Sequence, residues 1–407
     1  MNVLLATIAY PHGSEQRNIY TDLMQEFKQR GNDVYVITSL ERRHGGKTEL
    51  HLENSLNILR VKTGNITEAG LFEKGMATLS IEGQFIRAVK KYFRDIKFDL
   101  VLSSTPPVTF ERLINYVKRR DAAISYLLLK DIFPQNAVDI GLMRKGSLIW
   151  RYFRRKETNL YKHSDYIGCM SEANVKYLLE HNKGISTFQV EVCPNSIKPN
   201  QITKNDLDKA KVRKDYGIPQ HAVIFIYGGN LGKPQGIAFL LEVIQANRDK
   251  QDRFFLIAGS GTEYGKAEQF ITEGKYGNAK LIRYLPKTDY DKLVTASDAG
   301  LIFLDKRFSI PNFPSRILTY MESSLPVLAA TDRNTDLKDV IEDNNFGLWV
   351  QHGDLNSFNI CLNTLCGDSN LRVRMGTNAR AYLLKEYTVS KCYGIIIGHI
   401  TGVNPDV

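Results

Sequence analysis

No stretch of this 407-residue chain stays apolar for the roughly 18 residues that a membrane-spanning helix requires. The apolar opening, Val3 to Tyr10, has no basic residue before it and no small-residue cleavage site after it, and it runs straight into Pro11, His12 and Gly13. A buried first strand is expected there, not an export signal. Cysteine is scarce. Cys169, Cys193, Cys361, Cys366 and Cys392 form no CxxC pair and no metal-ligand spacing, which points away from zinc and disulfides and toward a reducing cytosol. Neither GxGxxG nor GxxxxGK[ST] occurs, so a dinucleotide fingerprint and a P-loop are both unsupported. The eight histidines stand in no recognisable catalytic context. Low-complexity tracts and short repeats are absent.

What is present fits a globular chain of about two domains: 43% hydrophobic residues, 24% charged, and length for two full cores. The net charge of +10 is uneven. Residues 1–200 hold 29 Lys and Arg against 21 Asp and Glu, and the remainder holds 25 against 23. The basic excess peaks at 90–97, at 117–120 and at 146–162, where Leu148, Ile149, Trp150, Tyr152 and Phe153 alternate with Arg151, Arg154, Arg155 and Lys156. Such a stretch suits an anionic membrane face. The plainer reading is a solvated helix with its aromatics in the core. No nucleic-acid motif accompanies it, so nucleic acid is not an expected partner.

Short apolar runs alternate with helical patterns along the whole chain. Strands are expected at 2–10, 33–39, 99–105, 123–129 and 165–171, with helices at 14–30, 80–97, 107–120 and 146–162. The composition turns polar from Asn200 to Gln220, where the domain boundary is expected. The rhythm restarts with strands at 222–230, 254–261 and 279–286 and helices near 236–249 and 262–274. This βαβ alternation predicts parallel sheets covered on both faces, in two doubly wound halves.

The segment from Pro311 to Asp332 is the most informative. Pro311 and Pro314 exclude a helix upstream, Ser315 offers an N-cap hydroxyl, and Ile317, Leu318, Met321 and Leu325 recur at helical spacing. Pro326 then ends the helix before a buried strand. Arg316 at that helix start is placed for an anionic phosphate, or, on the plainer reading, for water. Three glycine loops follow strands: 10–18, 227–236 and 255–265. Each exposes backbone N–H groups or merely makes a tight βα turn. In open α/β sheets ligands bind beyond the carboxyl ends of the strands.

Taken together these pieces resemble the GT-B glycosyltransferases, in particular the retaining group numbered family four, and within it bacterial transferases for O-antigen, capsule and exopolysaccharide of the L-fucosamine transferase type. The matching pieces are the first strand with PHGSEQRN, STPP (104–107), LLKDIFPQNAVDIGLM (128–143), HSDYIGCMSEA (163–173), VCPNSIKP (192–199), FIYGGNLGKPQG (225–236), FLIAGSG (255–261), 290–304 and FPSRILTYMESSLPVLAA (313–330). Their order covers nearly the whole chain.

The resemblance implies two Rossmann-like domains facing across a cleft. Residues 1–199 would hold the acceptor, 200–385 the nucleotide sugar, and a helix at about 386–407 would pack back on the first. It implies a UDP-linked donor carrying an N-acetylated or 6-deoxy aminosugar, a polyisoprenyl-diphosphate-linked glycan acceptor, retention, no metal, no cofactor beyond the donor, and a location in the cytoplasm at the inner face of the plasma membrane. The reaction would rest on Asp131, Lys233 and Arg316. Substrate and nucleotide would be lined by Gly13, Arg17, Asn195, Gly229, Asn230, Gly259, Gly261, Leu285, Ser315 and Thr319. Relatives grip the diphosphate with a basic pair where this chain has Asn230 and Gln235, with Lys233 between. They carry a glutamate pair where it has Pro311 and Thr319. Glu322, one turn on, cannot simply substitute. A histidine common in relatives is absent near 130, and Asp131 is the polar candidate facing the sugar, with a turn or cap aspartate as its plainer reading. Arg17 is either a ligand for acceptor or phosphate or a surface arginine. No motif of paired carboxylates points to double displacement, which suits front-side attack. Two rivals share the architecture: a nucleotide-sugar 2-epimerase, and a non-catalytic sugar-nucleotide-binding subunit.

Overall fold

A computed structural model describes residues 1–8, 10–13, 17–66, 70–200 and 208–402. The chain divides into two compact units, Met1–Lys198 with Val389–Val407, and Pro199–Thr388; boundaries were expected after 199 and 385. The first unit runs β1 (Asn2–Ala6), α1 (Ile19–Gln29), β2 (Asp33–Glu41), β3 (Glu49–Glu53), β4 (Leu56–Thr63), α2 (Leu71–Tyr92) and β5 (Leu100–Ser104). It continues with α3 (Glu111–Asp121), β6 (Ile124–Leu129), α4 (Gln135–Asp139), α5 (Leu148–His163), β7 (Tyr166–Cys169), α6 (Glu172–His181) and β8 (Val190–Val192). The second unit opens with α7 (Lys209–Asp215), β9 (Val223–Asn230), α8 (Ile237–Ala246), β10 (Arg253–Ser260), α9 (Tyr264–Gly274), β11 (Ala279–Ile282) and α10 (Lys287–Ala296). It closes with β12 (Ala299–Phe303), α11 (Arg316–Glu322), β13 (Val327–Thr331), α12 (Leu337–Asp343), β14 (Gly347–Gln351), α13 (Leu355–Gly367) and α14 (Ser369–Glu386). The chain then returns to the first unit as α15 (Val389–Thr401).

The first sheet has the order β3-β4-β2-β1-β5-β6-β7-β8 and the second β11-β10-β9-β12-β13-β14. Every described pairing is parallel except β3 with β4. Alternation along β1 shows how the layers form. Leu4 and Ala6 join the core shared with Ile81, Phe85, Ile114 and Leu160 of α2, α3 and α5. Val3 and Leu5 point the other way, into the core with Leu23, Phe27 and Ile396 of α1 and α15. The second unit buries Phe225, Tyr227, Phe255 and Phe303 against α8 and α13.

Several element bounds differ from expectation for identifiable reasons. The expected strand 2–10 stops at Ala6. The helix expected from Ser14 starts at Ile19, because Asn18 caps it by accepting from the Tyr20 and Thr21 N–H groups at 2.9 Å; residues 14–16 lie outside the described ones. α2 begins nine residues earlier than the expected position 80. Part of the polar boundary stretch is helical, since Asp208 caps α7 through the Lys211 N–H at 2.9 Å, while 201–207 lie outside the described residues. The expected strand 279–286 ends at Ile282.

α15 is fastened to its own unit by varied contacts. The Val389 N–H donates to the Ile197 carbonyl at 3.0 Å, Ser390 Oγ donates to Glu26 at 2.9 Å, and His399 Nε2 lies 2.8 Å from Glu191. The Tyr393 ring meets Phe27 edge-on at 4.8 Å. Residues 403–407 of the expected C-terminal helix lie outside the described ones. No described helix is long and apolar enough to cross a membrane.

Candidate functional site

In the second unit the carboxyl ends of β9 and β10 form one tight surface. A Cβ added at Gly228 would lie 1.8 Å from the Tyr290 hydroxyl, and one at Gly259 would lie 1.8 Å from the Gly229 carbonyl oxygen. Gly229 itself has φ +109°, in the region that favours glycine. A Cβ at Gly261 would lie 2.5 Å from Asn230 Oδ1. Two tyrosines hold the loop. Tyr227 donates to the Asn230 carbonyl at 2.7 Å, and the Tyr320 hydroxyl accepts from the Gly228 N–H at 3.1 Å while donating to Leu301 at 3.2 Å. Gly259→Ala is therefore expected to cost about 1–3 kcal/mol in thermal unfolding, as overpacking does. Gly265→Ala on α9, where an added Cβ meets nothing within 4 Å, is expected to be neutral or slightly stabilising.

Arg316 opens α11 and turns its guanidinium onto this surface. Its Cζ lies 4.3 Å from the centroid of the Tyr227 ring, and its Nη2 would lie 3.8 Å from a Cβ at Gly229. Its Nη1 is buried and has no hydrogen-bond partner among the described residues. Burial works against its charge, and the phenols of Tyr227, Tyr320 and Tyr290 outweigh that, so its pKa stands above the ordinary value. A half-buried cation whose Nη1 is buried and open, with no carboxylate against it among the described residues, suits an anion that comes from outside the protein.

The other expected groups divide. Ser315 does not cap α11: its own backbone is already helical (φ −59°, ψ −20°), whereas a cap needs an extended one. Lys233 is exposed at the start of a short 3-10 turn, Lys233–Gln235. Asn230 Nδ2 donates to Gln235 Oε1 at 3.2 Å, as does the Gly232 N–H, so the two positions expected from the resemblance to match a basic pair are amides bonded together. Thr319 is half-buried on α11, Pro311 is buried, and Leu285 is half-buried between β11 and α10. The Glu322 carboxylate accepts from the Asn200 N–H at 2.8 Å. His352 was not foreseen. It is half-buried with Nε2 3.4 Å from the Gly236 carbonyl, its Nδ1 lacks a partner, and burial lowers its pKa, so it is neutral near pH 7.

In the first unit, polar groups converge after β1, β5 and β6. Thr105 Oγ1 accepts from the N–H groups of Lys130 and Asp131 at 2.9 and 3.1 Å and donates to the Asp131 carbonyl at 3.2 Å. Ser104 Oγ donates to Thr7 at 2.9 Å, and both bond with the buried Tyr20 phenol. Burial pushes the Asp131 carboxyl up to about 6, against an opposing hydrogen bond with Asn136. Lys130 turns its Nζ to the Cys193 carbonyl at 3.2 Å. Arg17 is not a free cation. It forms an ion pair with Asp22 at 2.7 Å and donates to the Lys198 carbonyl. Asn195 is buried beyond β8, and Gly13 is exposed with φ +88°.

Residues 208–382 match the family model described as glycosyl transferases group 1. Over 280 residues the chain is 24% identical to the probable glycosyltransferase WbjE of Pseudomonas aeruginosa, covering 68% of each. Its fold is similar to that of sucrose-phosphate synthase from Thermosynechococcus elongatus, with a TM-score of 0.76 at 15% identity over 98% of both chains. It is also similar to HepE from Anabaena, solved in complex with UDP-glucose, with a TM-score of 0.70 at 14% identity over 99% of this chain and 100% of HepE. The two Rossmann-like units thus have the expected GT-B fold.

Proposed function

We propose that this protein moves a sugar from a nucleotide-diphosphate donor to a glycan acceptor in surface polysaccharide biosynthesis, a reading supported by the match of residues 208–382 to the group 1 glycosyl transferase model. The donor is UDP-linked and carries an aminosugar, the acceptor is a polyisoprenyl-diphosphate-linked glycan, and the configuration is retained. The observation that carries this reading is Arg316, whose buried Nη1 has no partner beside the Gly228–Gly229 backbone. As the bond from the sugar C1 to the diphosphate oxygen breaks, the leaving group takes the electron pair. Arg316 stabilises that charge, with Lys233 from the solvent side. The acceptor hydroxyl oxygen attacks C1 from the same face, and its proton passes to the departing phosphate oxygen. Asp131 accepts a hydrogen bond from the sugar. HepE binds UDP-glucose in its crystal structure, which favours uridine here.

The test is a panel of UDP- and GDP-sugars incubated with the protein and acceptor. Transfer with nucleotide release is expected. Donor interconversion without acceptor would instead mark an epimerase, and binding with no release a non-catalytic subunit. Turnover is also expected to persist in excess EDTA, because a fixed guanidinium does the work that a bridging cation would do. Activity lost to EDTA and restored by Mn²⁺ or Mg²⁺ would overturn this.

A further inference from the structure

The aromatic-basic stretch on α5 is sorted by the helix into two faces. Trp150, Phe153, Glu157, Leu160 and Tyr161 turn inward, with Phe153 edge-on to Phe133 at 5.0 Å. Two of its four clustered cations are already spent inside the unit. Arg154 bonds to Glu157 and Asn182, and Lys156 bridges Glu82 and Glu111 at 3.1 and 3.2 Å. These cannot serve a surface without breaking the fold around them.

The opposite face is different. Leu148 is 83% exposed, Ile149 62% and Tyr152 39%, and Leu142, in the turn before the helix, is 59% exposed. Leu148, Tyr152 and Arg155 stand at i, i+4 and i+7 on one stripe, with Ile149 and Arg151 at its sides. Arg144, Lys145, Arg151 and Arg155 are all exposed. A cluster of large apolar side chains in water is costly and marks a contact surface. No carboxylate lies in sequence between Leu142 and Arg155, so this stretch of chain carries charge of a single sign.

We infer that the first two turns of α5, with the turn before them, form a docking surface for an anionic lipid bilayer. Leu142, Leu148, Ile149 and Tyr152 enter the headgroup boundary while the four cations meet lipid phosphates. Charge complementarity selects lipid over a second copy of this chain, whose matching patch would set four cations against four. The inference depends on this surface alone and stands apart from the donor chemistry.

Co-sedimentation with vesicles tests it, using 30% phosphatidylglycerol in phosphatidylcholine against pure phosphatidylcholine. The unmodified protein is expected to pellet with the anionic vesicles at low salt and to be released as salt rises. Leu148→Ser with Ile149→Ser should weaken binding at least fivefold at any salt. Arg151→Gln with Arg155→Gln should remove the preference for anionic vesicles. Lys250→Gln with Lys266→Gln, in the other unit, should change nothing. All these side chains are exposed, so unchanged melting temperatures are expected and would confirm that each variant folds. No pelleting of the unmodified protein at low salt, or equal pelleting by the Leu148 and Ile149 variant, would overturn the inference. So would a dimer in sedimentation velocity that the same variant dissolves.

Discussion

Replacing Arg316 with Ala is expected to lower UDP affinity in calorimetry by several-fold to a hundred-fold, or about 1–3 kcal/mol. The guanidinium lies over Tyr227 at 4.3 Å with Nη1 buried and open, so on the proposed role the donor diphosphate would complete its hydrogen bonds. The same geometry predicts a separation of function from stability. No ion pair among the described residues is lost, and a partly desolvated cation is removed. The ligand-free variant should therefore melt at the same temperature or higher, while the rise in melting temperature on adding UDP should shrink. Arg316→Lys should fall between, because an ammonium keeps the charge but gives up the flat face on Tyr227 and the fork of donors. Unchanged UDP affinity in Arg316→Ala would remove the main support for the donor site.

The site was legible in part, and the reasons are local. Backbone chemistry showed well. Apolar runs ended by glycine placed β9 and β10 and the loops after them, and α5 was bounded within two residues because Ser147 caps it and a strand follows. Side-chain pairing did not show. Arg17 looks like any arginine near a glycine loop until Asp22, five residues on, folds back to hold it. Ser315 has the composition of a cap but not the backbone. The β3–β4 hairpin was missed because its turn, Asn54-Ser55, reaches positive φ without glycine. Tyr227, Tyr290 and Tyr320 come from three separate elements, and nothing in their sequence spacing announces that they meet.

Asp131→Asn is expected to lower kcat by about ten- to a hundredfold, the range of one hydrogen bond to a charged group, while leaving the fold intact. Burial raises the Asp131 carboxyl to about 6 from an ordinary value near 3.8. The sign of its effect on stability follows. Between those two values the folded chain holds a proton that the unfolded chain has released, so stability falls as pH rises through that window and is lowest above it. An uncharged amide at 131 avoids that loss, and the variant should melt no lower than the original at pH 7 and should melt more nearly alike at pH 5 and pH 7. Activity runs the other way. If Asp131 has the proposed role, its carboxylate is the form that accepts a hydrogen bond from the sugar, so kcat/KM of the unmodified protein should climb between pH 5 and pH 7 with a midpoint near 6. In Asp131→Asn that climb should flatten. A variant with full kcat and an unchanged pH profile would return Asp131 to the role of a turn residue held by Thr105 through its backbone.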